Sequence, residues 1–254
     1  MEVMYTKKMK PFPNPPIREA IFDIRVVLPL EVSLENLASY QEGIKERFPI
    51  KEERVNWESG LQLKPGSVPE IIPPSGGAYG FFFRSEKEKK IVQARRDGFT
   101  FNKLKPYEKW EVFFAEAREL WQHYLEVVKP SQVTRVALRY INCIEIPLPI
   151  KEFKEYILTI PEIAPGIPQS LNRFFMQLVI PKNEIEAIAN VTVTIDPVKP
   201  EKDILPLILD IDVFRNIALP PSDPKIFEIM TELREYKNLI FVSSVTSKCK
   251  ELFK

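Results

Sequence analysis

From Pro16 to Leu28 apolar and polar side chains alternate with period two. Ala20, Phe22, Ile24, Val26 and Leu28 share one face, while Glu19, Asp23 and Arg25 share the other with Ile21 and Val27. A strand with an apolar back and three charges in front predicts a sheet packed on one side only. The pattern recurs twice. In VTRVALRYIN, Val136, Leu138 and Tyr140 oppose Arg135 and Arg139; in LPLILDIDVF, Leu209, Ile211 and Val213 oppose Asp210 and Asp212. Gln93, Arg95 and Asp97 form a similar row, with Arg96 on the opposite side.

Around these strands the spacing predicts amphipathic helices. SLENLASYQEGIKERF places Leu34, Leu37, Ile44 and Phe48 on one stripe with Ser33 as N-cap, and Tyr107 to Val128 carries a broad apolar arc. A last helix opens at SDPKIFEIM, capped by Ser222 or Asp223, and turns Ile226, Phe227, Met230, Leu233 and Ile240 to the sheet. A further short helix is expected at Thr246. Other strands are read at 52–64, 78–85, 89–104, 170–180 and 185–196, the middle two as a hairpin with the charged tip EKEK. Strands in runs of two or three, separated by single helices, predict an α+β fold: mostly antiparallel, curved sheet or sheets against amphipathic helices. Two similar halves are one organisation open to it. The expected divisions are a Pro- and Lys-rich arm at 1–16, an N-terminal half at 17–149 and a C-terminal half at 150–254.

Composition narrows the function classes. With 36 basic and 35 acidic residues the whole chain has no electrostatic footprint for nucleic acid or an anionic membrane. No continuous apolar run suits a spanning helix or a signal peptide. Two distant cysteines and one histidine give no metal-ligand spacing, and the expectation is a cytoplasmic protein with free thiols and no membrane association. The eight glycines form neither a P-loop nor a dinucleotide fingerprint, and no serine stands in a nucleophile elbow. His123 falls outside the apolar arc of its helix and reads as a surface residue; Cys143 reads as a buried small hydrophobe.

The charged strand faces carry the candidate chemistry. Carboxylates two apart on one face repel unless a cation lies between them, so Asp210 and Asp212 require partners, and Arg135, Arg139 or Arg25 are the candidates. Glu19, Asp23, Arg25, Arg135, Arg139, Asp210 and Asp212 therefore form the candidate binding set, with no cofactor. Exposed cross-strand ion pairs are the bland reading; a cleft or recognition face is the sharper one. Acids on a first and a late strand also resemble the triphosphate tunnel metalloenzymes. That likeness implies Glu19, Asp23, Asp210 and Asp212 as ligands for magnesium or manganese in a phosphohydrolase. The hallmark pair of glutamates two apart followed by a basic residue is absent, as are most of the basic strands. RRDGFTFNKL has a passing likeness to the aromatic strand of RRM domains, with Arg95, Arg96, Lys87, Lys89 and Lys90 as a weaker nucleic-acid alternative. Phe99 and Phe101 read as core.

Taken together, PPIREAIFDIRV, VTRVALRYIN, LDIDVF and LREYKNLIFVSSVT resemble, in order and spacing, a sporadically distributed prokaryotic family of about this length. The resemblance covers nearly the whole chain and implies no activity, cofactor or catalytic set. A patchy distribution of that kind is typical of accessory genes on mobile or defence-related loci. The expectation is a non-enzymatic binding or regulatory component whose partner is another protein.

Overall fold

The computed structural model describes residues 12–62, 70–168, 171, 173–196 and 203–254. Among the described residues nine strands build one antiparallel sheet: β1 Ile17–Val27, β2 Ile50–Gln62, β3 Glu70–Ser85, β4 Lys90–Arg95, β5 Gly98–Leu104, β6 Gln132–Pro147, β7 Phe175–Lys182, β8 Ala187–Ile195 and β9 Ile204–Leu219. Their order across the sheet is β2-β3-β4-β5-β1-β6-β9-β8-β7. The helices are α1 Leu34–Ser39, α2 Trp110–Val128, α3 Lys225–Ser244 and α4 Ser247–Glu251.

The wiring is the same on both sides of the centre. β1 crosses to the edge strand β2, and the meander β2 to β5 returns to pair with β1 before α2. β6 crosses to the opposite edge β7, and the meander β7 to β9 returns to pair with β6 before α3. The antiparallel β1–β6 ladder, with Phe22 opposite Leu138 and Asp23 opposite Ala137, joins the two. The expectation of a curved sheet is corrected here. The nine strands make one open sheet, not a closed one, because each meander runs inward from its own edge and leaves β2 and β7 at opposite ends of the order.

One face holds the core. Ala20, Phe22, Ile24, Phe99, Phe101, Val136, Leu138, Leu209, Ile211 and Val213 are buried there. The Phe99 ring meets Trp121 of α2 at 5.8 Å, and Phe101 stacks on Phe113 at 5.3 Å. Each such side chain contributes about 1.5–3 kcal/mol of burial, so the apolar half of the alternation dictates which face takes the helices. α2 and α3 lie side by side, with Phe114 edge-on to Phe227 at 6.0 Å.

Local signals mark most boundaries. Ser33 caps α1 in a capping box with Asn36, but the helix is only six residues long and passes into a 3-10 turn at Tyr40–Gly43. Asp223 Oδ1 accepts from the Lys225 amide at 2.9 Å where α3 starts, and Thr246 caps α4. The segment 89–104, expected as one strand, is two. Arg96 and Asp97 turn the chain, and Gly98 follows at φ +155°, where a Cβ would come within 2.1 Å of the Ile24 carbonyl oxygen. Of the N-terminal arm, the described part lies along the body. Phe12 packs edge-on against Phe253 at 5.3 Å, and the Asn14 amide donates to the Phe253 carbonyl at 2.9 Å. The rest of the arm and the loop after β2 lie outside the described residues.

Candidate functional site

All seven residues of the candidate binding set project from the face opposite the helices, on the three adjacent strands β1, β6 and β9. The cause is the period-two alternation: with the apolar set fixed against α2 and α3, the charged set has only the other side to occupy. The structure also brings in residues from β2, β4 and β5.

Asp23 is the hub. Its carboxylate accepts from Arg95 Nη2 at 2.8 Å, Thr100 Oγ1 at 2.9 Å, Arg25 Nε at 3.1 Å and Arg135 Nη1 at 3.5 Å. Arg135 continues to Asp212 Oδ2 at 3.2 Å with its guanidinium 4.3 Å above the Phe214 ring. Arg95 also donates to Thr100 and, at 2.8 Å, to Asp97, which pairs in turn with Arg25. One row of ion pairs, joined at β5 by the Thr100 hydroxyl, thus runs from β4 through β1 and β6 to β9. A second row is a hydrogen-bond relay: Arg54 Nη1 donates to Gln93 at 2.6 Å, Gln93 to Asn102 at 3.2 Å, and Asn102 to Glu19 at 2.7 Å. Beyond the seam, Arg139 donates to both oxygens of Asp210, the shortest contact being 2.6 Å.

The electrostatics separate the two aspartates at the ends of the Arg135 bridge. Burial pushes the Asp23 carboxyl up, but the Arg95 and Arg25 charges and the hydrogen bonds of Arg95 and Thr100 overcome it and hold the group below the ordinary range. At Asp212 burial prevails. Arg135 and Arg139 pull downward, Asp210 and Asp23 push upward, and the group lies above its usual value. Burial, together with the nearby Arg95 and Arg25 charges, lowers Arg54, whose hydrogen-bond partner is the neutral Gln93.

The acids proposed as metal ligands are each engaged by a protein group: Glu19 by Asn102, Asp23 by three arginines, Asp210 by Arg139 and Asp212 by Arg135. Among the described residues no three His, Cys, Asp or Glu side chains are grouped to hold a metal ion. This geometry lends the magnesium or manganese alternative no support, since at Asp23, Asp210 and Asp212 a divalent cation would have to displace arginines already paired within hydrogen-bond distance. Millimolar magnesium or manganese is therefore expected to leave the melting temperature unchanged; a rise of several degrees would restore these acids as ligands.

The basic residues of the nucleic-acid alternative do not share a surface. Arg95 is buried in the Asp23 network at one end of β4, and Arg96 is exposed beside it. Lys90, at the other end, pairs with Glu88 at 2.5 Å and Glu116 at 2.9 Å, while Lys87 and Lys89 sit in the exposed turn. His123 is half-buried rather than on the surface. Its Nε2 lies 2.9 Å from the Tyr40 carbonyl oxygen, and its ring packs on Tyr40 at 4.7 Å. Cys143 is half-buried, and burial raises its thiol.

Sequence reasoning missed Thr100, Asn102 and Arg54 as network members. The signal for the first two lay in FTFN, where polar residues alternate with the two core phenylalanines. It also missed Lys237 of α3, which is buried on the helix side with its amine 3.7 Å from the centre of the Tyr140 ring.

No family model matches the chain, and no curated protein does. Among the described residues no helix is long and apolar enough to cross a membrane.

Proposed function

We propose that this chain is a non-enzymatic binding component that engages another protein through the helix-free face of its sheet. The observation that carries the reading is the charge network itself. It spans five adjacent strands, leaves Arg139 and Arg25 with side chains 46% and 38% exposed, and lies on a face that none of α1, α2 or α3 covers. Arginines held in place by buried carboxylates lose little freedom on binding, and with Phe214 beneath Arg135 they have the composition of interface anchor points. Among the described residues of the network each carboxylate is already held by a protein donor.

The test is quantitative capture from extracts of the source organism by the immobilised chain, with cross-linking to map the bound surface. Arg25→Ala with Arg139→Ala removes two exposed side chains without opening the core, and is expected to abolish capture of the protein that cross-links to β1, β6 and β9. Asp210→Ala with Asp212→Ala is expected to do the same while the chain stays folded. Capture equal to that of the unaltered chain by both variants would reject the reading.

A further inference from the structure

The two edges of the sheet are built differently. β2 carries Lys51, Glu52, Glu53 and Arg54 directly after its first residue, Ile50, the charged edge by which open sheets avoid joining other sheets. β7 carries no charge from Phe175 to Pro181, and apart from Gln177 it is apolar on both faces. Phe175, Gln177, Val179 and Pro181 point to the helix-free side, while Met176, Leu178 and Ile180 lie opposite Val193, Val191 and Ala189 on the helix side. Phe175 and Val179 are 71% and 64% exposed, and Leu178 and Ile180 are also exposed. Pro181, the residue that blocks pairing, stands at the far end, and of the six residues before it Ile180 already accepts at its carbonyl from the Tyr236 hydroxyl at 3.1 Å.

We infer that β7 pairs with β7 of a second copy of this chain, in antiparallel fashion, joining two sheets into one of eighteen strands. Three features select a second copy. An uncharged strand meets no repulsion from its own image. A two-fold axis perpendicular to the sheet keeps each apolar face against its equivalent, so an axis at Leu178 sets Phe175 opposite Pro181 and Gln177 opposite Val179 of the second copy. Charge then matches at the ends: Arg173, just before the strand, comes beside Glu184 of the second copy, just after it, whereas parallel pairing would set Arg173 against Arg173. Lys182 is not in the way, because its amine lies over the Tyr236 ring of its own chain at 5.1 Å. One strand pair buries less than the ~800 Å² per partner of a standard interface, which sets the expected affinity in the micromolar range.

Sedimentation velocity of the full chain from about 1 to about 200 µM tests this directly. A reversible monomer–dimer equilibrium is expected, with the dimer weakened at least ~tenfold by Val179→Lys and by Phe175→Glu, and unchanged by Glu53→Lys on β2. Should Val179→Lys fail to fold, Phe175→Glu decides alone, since that side chain is mostly solvent-exposed and can be replaced without disturbing the monomer. A chain that stays monomeric throughout, or a dimer indifferent to the folded β7 variants, overturns the inference. Arg25→Ala with Arg139→Ala leaves the dimer intact, so this result stands apart from that of the capture experiment.

Discussion

Lys237→Met is expected to raise the melting temperature and to flatten the dependence of stability on pH between about 7 and 9.5. Lys237 is buried on α3, its amine over the Tyr140 ring, and no carboxylate pairs with it among the described residues. The nearest cation on its own helix, Arg234, is turned to Glu111 of α2 at 3.9 Å and to the Trp110 ring. Burial, with a smaller push from Arg234, lowers the amine from 10.5 to about 7. Above 10.5 the amine is neutral whether the chain is folded or not, and costs nothing. As pH falls from 10.5 to 7 the unfolded chain takes up a proton that the folded chain refuses, so stability falls. Below 7 both are protonated and the cost stays constant, at ~5 kcal/mol for the full shift. The buried phenols work the other way only at higher pH, because burial lifts Tyr107 to about 12 and raises Tyr140 well above its ordinary value. Within the window the thiols of Cys249, pushed up from 9.0 to about 12, and of Cys143, also raised, oppose the lysine as pH rises, so its contribution is read as the difference between the two chains. Chemical denaturation at pH 7 and at pH 9.5 should show the unaltered chain gaining stability with pH and Lys237→Met gaining almost none; parallel behaviour would mean that the amine is solvated.

The second large effect is at Asp23. Asp23→Ala leaves Arg95 buried without its carboxylate partner on β1, and is expected to cost ~3–5 kcal/mol. Asp212→Asn, by contrast, is expected to change stability by less than ~1 kcal/mol, because burial already disfavours the charged form of that carboxyl. The pH signs are opposite as well. The lowered Asp23 group contributes stability above its unfolded value of 3.8, lost as pH falls through the still lower folded value. The raised Asp212 group weighs against the fold at neutral pH, and that weight lifts as pH falls through its folded value. Urea unfolding of the two variants at neutral pH reads the contrast, and equal losses from both would argue against Asp23 as the hub.

The strand faces were legible in the sequence because a single rule, alternation, decides both which residues enter the core and which gather outside. Asp210 and Asp212 needed cations, and Arg139 and Arg135 supply them. The partner chosen by each acid was not legible, since the side chains reach diagonally across the register: Arg139 lies opposite Asp212 on β9 but pairs with Asp210, and Arg135, opposite Arg25 on β1 and Asn216 on β9, pairs with Asp212. The division of 89–104 into β4 and β5 was hidden because the turn residues Arg96 and Asp97 continue a charged run, and only the need for Gly98 beneath Ile24 marks the break. Sheet curvature has no signature in alternation at all. Lys237 was the opposite case. It lies four residues after Leu233 and three before Ile240, squarely on the stripe read as facing the sheet, but that stripe was read from its apolar residues alone. His123 shows the same error from the other direction: its position outside the apolar arc was correct, but the turn after α1 folds back over it.

The central claim is that charges from separate strands form one energetically coupled network on the helix-free face. A double-mutant cycle between Asp23 on β1 and Arg95 on β4 measures that coupling, with Asp23→Asn, Arg95→Met and the two combined unfolded in urea. The combined variant is expected to be more stable than the sum of the single losses by more than ~1 kcal/mol, because removing both partners leaves no buried charge unpaired. Losses that add to within ~0.3–0.5 kcal/mol would contradict it.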